Sequence, residues 1–194
     1  RRYSSAASDV YKRQIPIMVD TNCPWTKDQA RQILSKWEDF NLYWVEEPIN
    51  PPEDFESLSN LRSESLIPIA AGENACTSFE FKKMFEYEAV DYAQPSVTKV
   101  GGITEFKKII SVAETFGVQV MPHSPYFGPG FLATLHLSQS VPNSGLLERF
   151  FIDFEAYIYP EQIFNPKSGS FEIPNGIGLG FDPDKNVLKD YRVN

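Results

Sequence analysis

YWVEEPINPPEDFESLSNLRSESLIPIAAGEN, residues 43–74, holds one unit of a pattern that recurs along this 194-residue chain. It opens on a short apolar run, YWVEEP (43–48), that carries Glu46 near its end. A polar stretch with apolar residues at helical spacing follows, DFESLSNLRSE (54–64). A second apolar run, PIAAGEN (68–74), then leads to Glu73. Short apolar runs that alternate with helical stretches read as strand–helix–strand units. Such units place their strands side by side and parallel, so the expected class is α/β.

Working outward, the same alternation continues on both sides. Further apolar runs are IPIMVD (15–20), DYAQPSV (91–97), VQVMPHS (118–124) and GLLERF (145–150). Between the runs lie TKDQARQILSKWEDF, SFEFKKMFEYE, GITEFKKIISVAETFG and GFLATLHLSQS. Ile33, Leu34 and Trp37 form one helical stripe, and Phe106, Ile109, Ile110 and Ala113 another. Thr26 with Gln29 predicts a capping box, and Gly117 predicts a helix C-cap. Asp20, Glu46, Glu73, Ser96, His123 and Glu148 close the six runs, separated by 26, 27, 23, 27 and 25 residues. That period suits one strand, one helix and two loops of a (β/α) barrel, where side chains at the C-terminal strand ends converge on a single mouth.

Three of the six are carboxylates. Brought to one rim, Asp20, Glu46 and Glu73 would repel one another and resist desolvation unless a cation neutralised them. A hard divalent ion with oxygen ligands answers that need, and Mg²⁺ is the natural choice. Zinc suits the triplet poorly, because it contains neither sulfur nor imidazole. A single carboxylate would be read as half of a structural salt bridge; three in phase with the repeat are read as metal ligands. His123, in MPHSPYFGPG, is the proton-transfer candidate. His136, inside ATLHLSQS, is read as structural, and Glu148 as a group facing the site. Cys23 and Cys76 are read as packing residues near the mouth. Lys82, Lys83, Lys107 and Lys108 read as solvated helix faces, and Gly101-Gly102 as a tight turn.

Composition narrows the function classes. Eighteen basic against 26 acidic residues give a net charge of −8, which argues against nucleic acid or an anionic membrane as partner. At 42% hydrophobic the chain can build a core, yet no apolar run nears the roughly 20 residues that span a bilayer. Two cysteines make no disulfide framework and suit the cytoplasm. The first fourteen residues fit nothing that follows. SSAASDVYKRQ (4–14) resembles the in-frame translation of a sequencing adapter, so residues 1–14 are expected to be a non-native leader. Residues 15–150 are then the barrel portion and 151–194 its C-terminal tail.

VDTN, WVEEP, GEN, QPSVTKVGGI and the PHS strand together resemble the enolase superfamily, in particular its mandelate racemase and muconate lactonizing enzyme-like group. The resemblance runs from Ile15 to the C-terminus. It implies a partial TIM-type (β/α)7β barrel, strands three to eight, with the N-terminal capping domain and the second-strand lysines absent. It also implies Asp20, Glu46 and Glu73 as Mg²⁺ ligands, Asn22 beside the substrate, His123 as acid/base, and Glu148 hydrogen-bonding the substrate. The implied reaction removes the proton α to a carboxylate, and the full-length protein is expected to be a homo-oligomer. One departure matters. The position five residues before the glycine pair, an aspartate or lysine in these relatives, is Ser96 here. Ser96 can offer His123 a hydrogen bond but no charge, so His123 is expected to be a weaker base. That favours His123 as an acid, in dehydration of a sugar acid or lactone cycloisomerisation. Racemisation or epimerisation on the same scaffold, and a non-catalytic barrel, are the alternatives.

Overall fold

The computed structural model describes residues 15–141 and 145–193. The expected leader, residues 1–14, lies outside the described residues. Five strands form: β1 (Met18–Asp20), β2 (Trp44–Glu46), β3 (Ile69–Ala71), β4 (Tyr92–Ala93) and β5 (Gln119–Val120). They pair in sequence order, all parallel, with Asp20 opposite Glu46 and Glu46 opposite Ala70. Each connection carries a helix: α1 (Lys27–Trp37), α2 (Phe55–Glu64), α3 (Ser78–Glu86) and α4 (Ile103–Phe116). Two more follow β5, α5 (Pro129–Ser140) and α6 (Lys185–Asp190). This is the expected α/β architecture.

Local chemistry sets the helix ends. The Thr26 hydroxyl accepts from the Gln29 N–H while the Gln29 side chain accepts from the Thr26 N–H at 3.0 Å, so the capping box forms as expected. Asp54 and Thr77 cap α2 and α3 through single hydrogen bonds to Ser57 N and Glu80 N. Gly117 ends α4 at φ +68°, a conformation a Cβ would strain.

Strand alternation sorts the side chains into two layers. Val45, Ile69, Ala71, Ala93 and Val120 face outward and pack on Leu34, Leu58, Phe81, Met84, Phe106 and Ile109 of the helices. Met18, Trp44, Ala70, Tyr92 and Met121 face the other way, toward the concave side. There Tyr43 and Tyr92 stack at 5.5 Å with Trp44 against both. The residues two positions past Met18, Trp44, Tyr92 and Met121 are Asp20, Glu46, Gln94 and His123. Polar groups therefore sit directly above an aromatic floor.

The sixth run does not become a strand. Residues 145–150 are irregular, because side chains of the β5 extension take the hydrogen bonds a ladder would need. Leu146 N–H donates to Met121 Sδ at 3.1 Å, and the Glu148 carbonyl accepts from Ser124 Oγ at 2.9 Å. The tail then packs on α5 through Phe127, Phe131, Tyr157, Phe164 and Phe171. His136 of α5 lies 3.3 Å from the Leu179 carbonyl, the structural place expected for it.

Candidate active site and metal centre

The C-terminal ends of the strands gather an acidic cluster. Ligand-type atoms of Glu46, Glu73 and His123 all lie within 4.8 Å of one another. Glu46 ends β2, while Glu73 and His123 follow β3 and β5 on short extensions. His123 Nδ1 is 3.0 Å from Glu73 Oε2 and 3.1 Å from Glu148 Oε2. The ring nitrogen lies between the two oxygens without being aligned on either. Glu148 is held in turn by the Ser124 N–H at 2.9 Å.

Asp20 stands outside the closest trio. Asn22, at φ +53°, donates from its backbone N–H at 3.0 Å and its side-chain amide at 2.9 Å, and holds the Asp20 carboxylate back toward its own loop. Asp20 still feels Glu73 and Glu148 electrostatically, so it fronts the same space. Burial raises its pKa, opposed first by the Asn22 N–H.

The charges are strongly perturbed. Burial, with Asp20 and Glu148 nearby, pushes Glu46 up to about 7, although the Gln94 amide and Trp44 Nε1 (3.3 Å) favour its ionised form. His123 beside it, and then Lys99, hold Glu73 down at about 2 against the effect of burial. Burial alone would lower His123, but Glu148 and Glu73 outweigh it and raise the imidazole to about 9. This corrects the expectation of a weaker base. Carboxylates from two other loops supply the charge that Ser96 lacks.

Ser96 is fully buried and does not reach His123. Its hydroxyl bonds Thr98 Oγ1 at 3.0 Å and the Tyr126 hydroxyl. Tyr126 sets its ring edge-on to His123 at 5.9 Å, so Ser96 meets the histidine only through Tyr126. Three further residues of the site escaped sequence reasoning, Tyr126, Gln94 and Glu47. Gln94 reads from parity with Tyr92, and its Oε1 is buried without a hydrogen-bond partner among the described residues. Glu47 could have been noticed as a second acid where alternation predicts an apolar outward position. It is buried and clamps two loops, accepting from Cys23 Sγ at 3.1 Å and from Asn74 Nδ2 at 2.6 Å. That contact explains Cys23: burial, then Glu47, push its thiol up to about 12, so it is a packing donor and no nucleophile.

The donor set suits a hard divalent ion. Carboxylates converge on one point, and one of them is buried and resists its own charge.

A sequence model described as enolase C-terminal domain-like matches residues 2–187. Among curated relatives, the L-talarate/galactarate dehydratase of Salmonella typhimurium is 32% identical over 180 residues, covering 93% of this chain and 43% of its own. Among solved structures, the 3,6-anhydro-D-galactonate cycloisomerase of Zobellia galactanivorans superposes with a TM-score of 0.84 at 30% identity, covering 93% of this chain and 51% of that one. The L-talarate dehydratase of a Polaromonas species, complexed with Mg and L-glucarate, gives 0.64 at 31% identity over 77% of this chain and 42% of that one. The chain spans about half, or less, of the length of these relatives. No helix among the described residues is long and apolar enough to cross a membrane.

Proposed function

The chain belongs to the enolase C-terminal domain-like family, and from that premise we propose that it carries the catalytic face of a Mg²⁺-dependent sugar-acid dehydratase or lactone cycloisomerase. The observation that carries this reading is the His123 imidazole between Glu73 and Glu148, poised to keep its proton at neutral pH.

Glu46 and Glu73 would hold the metal, with Asp20 as the third carboxylate. Bound there, the ion would neutralise negative charge that develops on the substrate carboxylate as its α proton passes to a base outside the described residues, the second-strand lysine that the family resemblance implies. His123 delivers a proton to the departing hydroxyl or ring oxygen, a role its raised pKa favours over abstraction. Glu148 keeps the imidazole charged and aims it. Tyr126, fixed by Ser96, packs the ring's edge and limits its rotation. Asn22 faces the substrate as well as Asp20. The aromatic floor of Tyr43, Trp44 and Tyr92 excludes water beneath the cluster, which strengthens each charge interaction above it. The similarity to a sugar-diacid dehydratase and an anhydro-sugar-acid cycloisomerase supports the substrate class.

The test is a screen of aldonic, aldaric and anhydro-aldonic acids with the polypeptide in its full genomic length, with and without Mg²⁺. A 2-keto acid formed only with Mg²⁺, and lost in Glu46→Gln and His123→Asn, is expected. Exchange of the α proton with solvent deuterium and no elimination would favour a racemase. Absence of both Mg²⁺ binding and turnover would leave a non-catalytic barrel.

A further inference from the structure

Lys99 lies in the turn that follows β4. Lys99 N–H and Val100 N–H both donate to the Ser96 carbonyl, at 3.0 and 2.9 Å, and Gly101 and Gly102 close the turn at φ +90° and +100°. The backbone is therefore pinned before the side chain reaches anywhere. From there Lys99 Nζ meets Glu73 Oε1 at 3.1 Å. The other oxygen of the same carboxylate, Oε2, turns inward to His123 Nδ1 at 3.0 Å. Glu73 is thus flanked by two side-chain nitrogens on opposite oxygens, one on the rim side and one on the cluster side.

A glutamate carboxylate rotates broadly about its last torsion, so which oxygen faces a metal is set by what holds the other one. We propose that Lys99 is a positioning residue for the metal centre, fixing the outer oxygen of Glu73 so that the inner one faces Glu46 and His123. The inference rests on the reading of Glu73 as a metal ligand.

Two effects of Lys99 have opposite signs, which makes the idea testable. As a positive charge near the site it repels a divalent cation, so its loss alone would tighten binding. As an orienting partner it aligns a ligand, and removing such partners typically costs about 10- to 100-fold in metal affinity. Because Nζ sits on the far oxygen, away from the cluster, orientation outweighs repulsion.

The experiment titrates Mg²⁺ alone into the metal-free 194-residue chain by calorimetry, for wild type, Lys99→Met and Lys99→Arg, with a thermal melt of each. Expected is binding weakened about tenfold or more in Lys99→Met, with an unchanged melt, and largely restored in Lys99→Arg, which keeps a donor for Oε1. Equal or tighter binding in Lys99→Met, with wild type binding normally, overturns the positioning role and leaves the metal site standing. A Lys99→Met chain that no longer melts cooperatively makes the lysine a structural strut and also overturns the proposal. No Mg²⁺ binding in wild type overturns both this inference and the assignment of Glu73 as a ligand.

Discussion

Glu46 is buried, with Asp20 and Glu148 nearby, and carries its proton up to about pH 7, whereas a glutamate in an unfolded chain loses it near 4.5. Between those values the folded protein binds a proton that the unfolded chain has released, so stability falls as pH rises through that window. Asp20 and Glu47, both raised, act with the same sign. His123 extends the trend. Its raised pKa contributes stability that is complete below 6.5 and is lost as pH climbs toward about 9. Glu73, lowered to about 2, adds stability above 4.5 and so opposes neither window. The melting temperature of the metal-free protein should therefore decline steadily from pH 5 to pH 9, read by circular dichroism. Mg²⁺ requires Glu46 ionised, so its binding should expel a proton near neutrality, seen as a calorimetric heat that changes with the buffer's ionisation enthalpy. A flat melting profile, together with buffer-independent heat, would contradict the buried, proton-holding Glu46.

At the scale of elements, the joint between β3 and α3 is tightly packed. Gly72 lies at φ +138°, directly before Glu73, and a Cβ there would stand 2.8 Å from Phe81 Cε1 and 3.0 Å from Gln94 N. Gly72→Ala meets both an unfavourable backbone region and a fully buried phenyl ring that cannot withdraw. A loss of about 2 kcal/mol or more in unfolding free energy is expected by urea titration. Little change would mean that the β3 extension is looser than its contacts imply. The helices were legible because their signals are local: Thr26 with Gln29 and Gly117 act within a turn or two of themselves. The last strand was not legible, since GLLERF has strand composition but lacks a backbone partner, which tertiary context alone decides. The site was legible as a rhythm of strand-end residues. Its couplings were not. That Ser96 bonds Tyr126, or that Lys99 crosses to Glu73, depends on rotamers across 30 and 26 residues of chain.

On the whole molecule, the order β1 to β5 is an open arc, and among the described residues no strand joins β5 back to β1. Both margins carry apolar side chains in water. Ile15 and Ile17 precede β1, and Leu146, Phe150, Phe151, Ile152 and Phe154 lie past β5, with Phe151 96% exposed. Burying apolar area is worth roughly 25 cal/mol per Å², and unpaired strand edges add hydrogen-bonding groups that seek a partner. Exposed apolar residues also stand elsewhere, Phe40, Leu66, Phe79 and Ile177 among them, on surfaces that carry charged pairs such as Lys82–Glu86 and Lys108–Glu105. The 194-residue chain on its own should therefore self-associate with rising concentration, and Mg²⁺ bound at the mouth should leave that behaviour unchanged because none of these apolar residues belongs to the metal cluster. Light scattering coupled to size-exclusion chromatography across a dilution series, with and without Mg²⁺, measures this. Phe151→Asp should shift the series toward monomer, since it places a charge on the most exposed apolar side chain of the β5 margin. A chain that stays monomeric at every concentration, with a sharp melt, would mean that the two margins are satisfied by contacts other than these.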